Sequence, residues 1–247
     1  MMLQQLRKVV AALERPLGLE TGVPLALGIP AIDAALGGGL ARGALHEIAA
    51  ASEPHVAAAT GFALGLAHRN RSQNNTIVWI AGDMALVENG APCGLGLDEF
   101  GLAPERLISV AAARPRDLLW AMEEALHCAA VGTVIGELRQ EYIEPVALRR
   151  LSLAATANGA LALLLRATPS AEASTAATRW IVGAASSHVN HGPGPPRIDA
   201  QLVRNRRGPL GSWILEWSDL DERFSLASTH PQPVAVPALD RPSRQVA

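Results

Sequence analysis

The strongest constraint on what this chain can fold into is a change of pattern near residue 168. Before it, short apolar runs alternate with segments of helical period. NTIVWIAGD (75–83), VGTVIGEL (131–138) and ALALLLRAT (160–168) are apolar on successive residues, the pattern of strands buried on both faces. Between them lie helical candidates: an alanine-rich segment over 56–69, PRDLLWAMEEALHCAA opening on Pro115, and IEPVALRRLSLAATANG closed by Asn158 and Gly159. Upstream, GIPAIDAALGGGLARGALHEIAA predicts a short helix to Leu36, a glycine turn at 37–39 and a strand over 45–49. RLISVAA adds a further short strand, and residues 84–106 are broken by Gly and Pro into short helical pieces. Strands separated by helices predict a parallel sheet. After residue 168, TRWIVGAASS, RIDAQLVRNRRG and SWILEW are strands with no helix between them, and RRGPLGS supplies hairpin turn residues. The expected fold is α/β, a mostly parallel central sheet flanked by helices with an antiparallel C-terminal edge.

Residues 25–224 form the expected domain, with a segment at each end that reads differently. At 1–24, Leu3, Leu6, Val10 and Leu13 recur at three- and four-residue spacing, and Pro16 stops the pattern. A helix this short is unstable alone, so its stripe packs on its own body or on a partner. From Ser225 the chain is polar and rich in proline, which predicts a disordered tail over 225–247. The net charge of −2 gives no bulk attraction to nucleic acid. No apolar run approaches 18 residues and no secretory signal is recognisable, so the expectation is a cytoplasmic protein without membrane contact. Cys93 and Cys128 lack metal-ligand spacing, as expected of reduced thiols.

The segment LHEIAAASEPHVAAATGFALGLA (45–67) has the strand–loop–helix order of a phosphate loop without its residues. Such a loop turns successive backbone N–H groups toward phosphate through its glycines, while a lysine neutralises charge and a Ser/Thr oxygen holds magnesium. Laid on that pattern without gaps, Ala50 and His55 take the glycine positions, Val56 the lysine and Ala57 the hydroxyl residue. Glu53 adds negative charge. Lys8 is the chain's one lysine, against 20 arginines, so no shift of frame supplies the missing cation. A helix dipole contributes about 0.3–1 kcal/mol at an exposed terminus. A useful nucleotide site needs roughly 5–8 kcal/mol. The predicted cofactor is none.

The order of these elements over roughly 25–217 resembles the RecA family. The resemblance implies that Asp83, ending TIVWIAGD, stands where the family's water-activating acid stands, and that Glu137 in VGTVIGEL takes the magnesium-associated position. It implies that Arg204 and Arg206 in LVRNRRG match the basic pair that senses nucleotide across a filament interface. The family's first DNA loop is shortened here to 136–145, and the second falls in ATPSAEASTAATR (167–179), which is small and polar. A reduced core of this kind, with PRIDAQLVRNRRGPLGSWILEW closing on Trp213 and Trp217, resembles the ImuA-type accessory proteins of the damage-induced mutasome. That likeness implies a non-enzymatic adaptor in SOS-induced translesion synthesis. Its partners would be a Y-family-like mutasome protein, an error-prone C-family polymerase and RecA, with DNA contact indirect or weak. The predicted partner-binding residues are Leu3, Leu6, Val10 and Leu13 with Arg204, Arg206 and Arg207. Two rival readings are a SulA-like cell-division inhibitor and a RecA-class ATPase in which Arg42 replaces the lysine.

The remaining chemistry-bearing residues have plainer expected roles. His188 and His191 have no acidic or cysteine companions and belong to a proline-rich loop. Ser186 and Ser187 lack a nucleophile setting, and Cys93 has nothing basic beside it. Among Trp180, Trp213 and Trp217, core packing is expected for at least two.

Overall fold

The computed structural model describes residues 22–70, 76–139, 142–186 and 194–227. One nine-stranded sheet organises them. Its strands are β1 (Ala44–Ala50), β2 (Thr76–Gly82), β3 (Leu107–Ala112), β4 (Val131–Leu138), β5 (Leu161–Arg166), β6 (Thr178–Ala184), β7 (Arg197–Asn205), β8 (Gly211–Ser218) and β9 (Arg223–Leu226), in the order β3-β2-β4-β5-β1-β6-β7-β8-β9. Pairing is parallel from β3 through β6 and antiparallel from β6 through β9. The antiparallel edge therefore begins one strand later than the change of pattern near residue 168, because β6 still pairs parallel with β1.

The helices are α1 (Pro30–Ala35), α2 (Val56–Arg69), α3 (Asp83–Asn89), α4 (Gly94–Asp98), α5 (Pro115–His127) and α6 (Pro145–Asn158). Pro30, Pro115 and Pro145 each begin a helix, where the missing N–H costs nothing. Gly159 ends α6 with φ 71°, a conformation that disfavours any side chain with a Cβ.

Two cores flank the sheet. On one face α2 packs with Ile48, Trp79, Ile135, Leu163 and Trp180; on the other, α5 and α6 cover Val78, Ile80, Val134 and Leu164. This division follows from strand alternation, since Trp79 and Val78 point to opposite faces. An aromatic cluster closes the first core: Phe62 lies 5.2 Å from Trp180 and 5.7 Å from Phe224, which lies 4.9 Å from Trp217. The approach is close because Gly65 faces the Phe224 ring, where an added Cβ would sit 2.2 Å from a ring carbon.

The expected boundary at 224 moves. Ser225 pairs with Glu216 within β9, because burying Phe224 carries the chain along β8 as far as Leu226. The rest of the predicted tail and the stripe Leu3, Leu6, Val10 and Leu13 lie outside the described residues. Among the described residues no helix is long and apolar enough to cross a membrane.

Candidate functional site

β1 delivers the chain to the sheet edge where a phosphate loop would begin. Between Ala50 and Val56 the backbone instead forms a bend and a 3-10 turn (Glu53–His55) leading into α2. Several of its polar groups bond within the protein. The Ala51 N–H donates to Val182 O at 2.8 Å, and the His55 N–H donates to Ser52 O at 2.9 Å. The His55 ring accepts at Nδ1 from the Ala184 N–H at 3.0 Å, tying the loop to the end of β6. No residue from 50 to 57 has positive φ, so the alternating turn that aims several N–H groups at one anion does not form. Ala50, His55, Val56 and Ala57 thus occupy the expected place in the chain with none of the expected chemistry.

The two acidic positions separate. Asp83 is exposed and opens α3, where a carboxylate complements the helix N-terminus. Glu137 is 7% exposed and accepts from Asn89 Nδ2 at 3.0 Å. It lies in a cleft of about 820 Å³ that runs from the emptied loop along α2, walled by Val56, Leu64, Trp79, Leu97 and Phe100. Glu53 and Glu99 also line it, and its arginine, Arg197, is held by Glu216 at 2.8 Å. The cleft is apolar and acidic where a nucleotide site needs cations. Arg42 supplies none. It precedes β1 and donates to Asn70, beyond the C-terminus of α2. The seven residues of β1 put roughly 20 Å between it and the loop.

The segment between β5 and β6, at the place of the second DNA loop, is stapled from beneath. Glu47 in β1 is 1% exposed and accepts from Arg179 Nε at 2.8 Å and from the Ser174 hydroxyl. Arg179 also donates to the carbonyls of Ser170 and Glu172. The cation of this segment is thereby spent inside the fold. A pairing across 132 residues leaves no local signal in the sequence. Beside it His46, fully buried, bridges Ala41 O through Nε2 (2.9 Å) and Thr178 Oγ1 through Nδ1 (2.8 Å), while the Trp180 indole also donates to Thr178 Oγ1. Burial pushes the His46 pKa down to about 4, against a smaller opposing effect of the Ala41 carbonyl.

Arg204, Arg206 and Arg207 come together at the β7–β8 hairpin. This lies at the start of β6, opposite the emptied loop, because Asn205 pairs with Thr178. Asn205 Nδ2 donates to Ala35 O (2.8 Å) and to Pro209 O (3.0 Å), and Arg207 reaches Gly37 O at 3.4 Å, so the hairpin is braced on α1. No described carboxylate pairs with the three guanidinium groups. Desolvation first, and then neighbouring Arg204, lower the Arg206 pKa. Leu210, 59% exposed, adds an apolar contact.

Other expectations fall out simply. Trp180 and Trp217 are core residues and Trp213 packs against the core. Both thiols are free and exposed, with Cys93 Sγ capping α4. Ser186 is exposed, while Ser187, His188 and His191 lie outside the described residues. No group of metal-ligating side chains occurs among the described residues.

No protein-family model matches the chain. Two curated proteins do: Protein ImuA of Caulobacter vibrioides (strain NA1000 / CB15N) is 33% identical over 220 residues, covering 81% of this chain and 86% of that protein, and Protein ImuA of the strain ATCC 19089 / CIP 103742 / CB 15 gives the same values. Among solved structures, the RadB recombinase overlays with a TM-score of 0.57 at 16% identity, over 83% of this chain and 100% of that one. At that identity the likeness is one of fold, and it makes the sheet and its flanking helices RecA-like.

Proposed function

This chain belongs to the ImuA family, and we propose that it acts as a non-enzymatic RecA-like adaptor in SOS-induced, error-prone translesion DNA synthesis. Family membership supports the coarser role, in the DNA damage response. The loop between β1 and α2 carries the finer one. It has no positive-φ residue and no cation, and its N–H groups at Ala51 and His55 are bonded within the protein. A RecA-like ATPase draws its transition-state stabilisation from that loop and its metal. Here the Walker B position holds a carboxylate engaged by Asn89, and Arg42 is at the wrong end of β1 to replace a lysine.

What is left for the fold to do is present surfaces. The braced hairpin offers three uncompensated guanidinium groups and Leu210 on a rigid base, suited to an acidic protein surface. The N-terminal leucine stripe offers a second contact. The partners proposed are the Y-family-like mutasome protein, the error-prone C-family polymerase and RecA, with DNA reached through them in a cytoplasmic complex. Calorimetric titration of the full chain with Mg-ATP, with and without single-stranded DNA, tests this reading. The expected result is no saturable heat up to millimolar nucleotide. Saturable 1:1 binding would replace the adaptor with an ATP-dependent switch.

A further inference from the structure

The cleft beside the loop between β1 and α2 is deep, apolar and lined by carboxylates. Its volume, about 820 Å³, lies within the range of sites that enclose a ligand. Two buried polar groups face incomplete surroundings there. Glu137 is 7% exposed; one of its oxygens takes the Asn89 amide, the other opens into the cleft without a protein partner, and no described cation pairs with it. Trp79 is 2% exposed, lines the same cleft, and its Nε1–H has no acceptor. A carboxylate held in apolar surroundings without a counter-charge is costly, and that cost falls if a cationic ligand completes it. At the mouth, Glu53 and Glu99 are likewise without ion pairs, and Arg197 is neutralised by Glu216.

We infer that this cleft receives a basic side chain carried on an apolar segment of a partner protein. The cationic head pairs with the open oxygen of Glu137, and aliphatic atoms of its stem displace water from Val56, Leu64 and Phe100 beside the Trp79 ring. Charge decides the class of occupant. With carboxylates at the floor and the mouth and no unpaired cation among its described lining residues, the cleft repels phosphates and carboxylates and favours an ammonium or guanidinium group on a hydrocarbon stem. The reading of the chain as an adaptor supplies only the source of that group, a protein partner; the preference for a cation rests on the cleft itself.

The test uses the uniformly ¹⁵N-labelled full chain and follows its indole N–H signals. The probes are octylguanidinium as a mimic of the side chain, neutral octylurea, octyl phosphate and Mg-ATP. Octylguanidinium is expected to shift the Trp79 and Trp217 indole signals saturably. Its affinity should be at least tenfold above that of octylurea and fall tenfold or more in Glu137→Gln, with no saturable shift from octyl phosphate. A Glu99→Gln variant at the exposed mouth, which leaves the core untouched, should weaken binding about two- to threefold. The inference is overturned if no probe moves Trp79, if octylurea matches octylguanidinium, or if both variants bind as the parent does. Saturable Mg-ATP binding overturns the adaptor reading as well, whereas silence from every probe removes this inference alone.

Discussion

At the residue scale, the buried groups of β1 hold the clearest consequences. In the fold His46 is neutral: its Nε2–H donates to Ala41, so Nδ1 accepts from the Thr178 hydroxyl. Its pKa falls from 6.5 to about 4 on folding. A depressed histidine pKa means that the unfolded chain binds the proton more readily, so stability is lost as pH falls. The contribution is complete above about 6.5 and has gone by about 4, roughly 3 kcal/mol in all. Urea denaturation of His46→Asn against the parent checks the sign: the variant should be less stable at pH 7.5 yet lose about 2–3 kcal/mol less between pH 7 and 4.5. Equal losses would assign acid sensitivity to other groups. Its neighbour Glu47 gives a second prediction. Arg179→Ala leaves a fully buried carboxylate without its counter-charge and should cost about 3–5 kcal/mol. The double variant Arg179→Met with Glu47→Leu should recover most of that loss, and failure to recover would mean that the carbonyl bonds of Arg179 to Ser170 and Glu172 matter more than its charge.

At the scale of elements, what was legible in the sequence and what was not divide by range. Parallel strands buried on both faces announce themselves as continuous apolar runs, and Pro115, Pro145 and Gly159 mark helix ends by local backbone chemistry. β1 to β8 and the longer helices could therefore be placed from sequence. β9 could not, since RFSL is a four-residue strand whose reason for existing is Phe224 seated on Gly65 of a helix 159 positions earlier. The cleft was hidden for the same reason: the absence of a phosphate loop was readable at Ala50 to Ala57, but the carboxylates and indole that now line it arrive from separate elements. This makes the α2–β9 contact a useful test. Phe224→Ala should destabilise by about 3–5 kcal/mol through lost burial and the cavity left beside Phe62 and Trp217. Gly65→Ala, which sets a methyl 2.2 Å from a carbon of the Phe224 ring, should also destabilise, by about 1–3 kcal/mol. The pair in one chain should cost less than the sum, since each removes the other's contact. Strict additivity would show that α2 and β9 do not meet in this way.

At the scale of the whole molecule, the two surfaces proposed for partners sit at opposite ends of the parallel strands. The cleft opens beyond the C-terminal ends of β1 and β4, and the arginine hairpin lies beside the starting end of β6. On the proposed reading, a partner at one end would leave the other end uncovered. The hairpin end yields a prediction that separates binding from folding. Arg204, Arg206 and Arg207 have no described ion pair to lose, and the hairpin is held mainly by Asn205 on the Ala35 carbonyl (2.8 Å), with the long exposed bond of Arg207 to Gly37 O (3.4 Å) as a lesser brace. Replacing all three with Glu should therefore change stability by less than about 1 kcal/mol. The effect on an acidic partner should be large, because each reversal turns an attraction into a repulsion; association should slow by at least tenfold, and the parent's rate should itself fall steeply with salt. Surface-plasmon measurements against the Y-family-like mutasome protein, the C-family polymerase and RecA, each at 50 and 300 mM salt, would show which partner uses this end. A triple variant that folds normally and binds all three as the parent does would leave the hairpin a solvated edge. In that case the cleft and the leucine stripe alone would have to carry recognition.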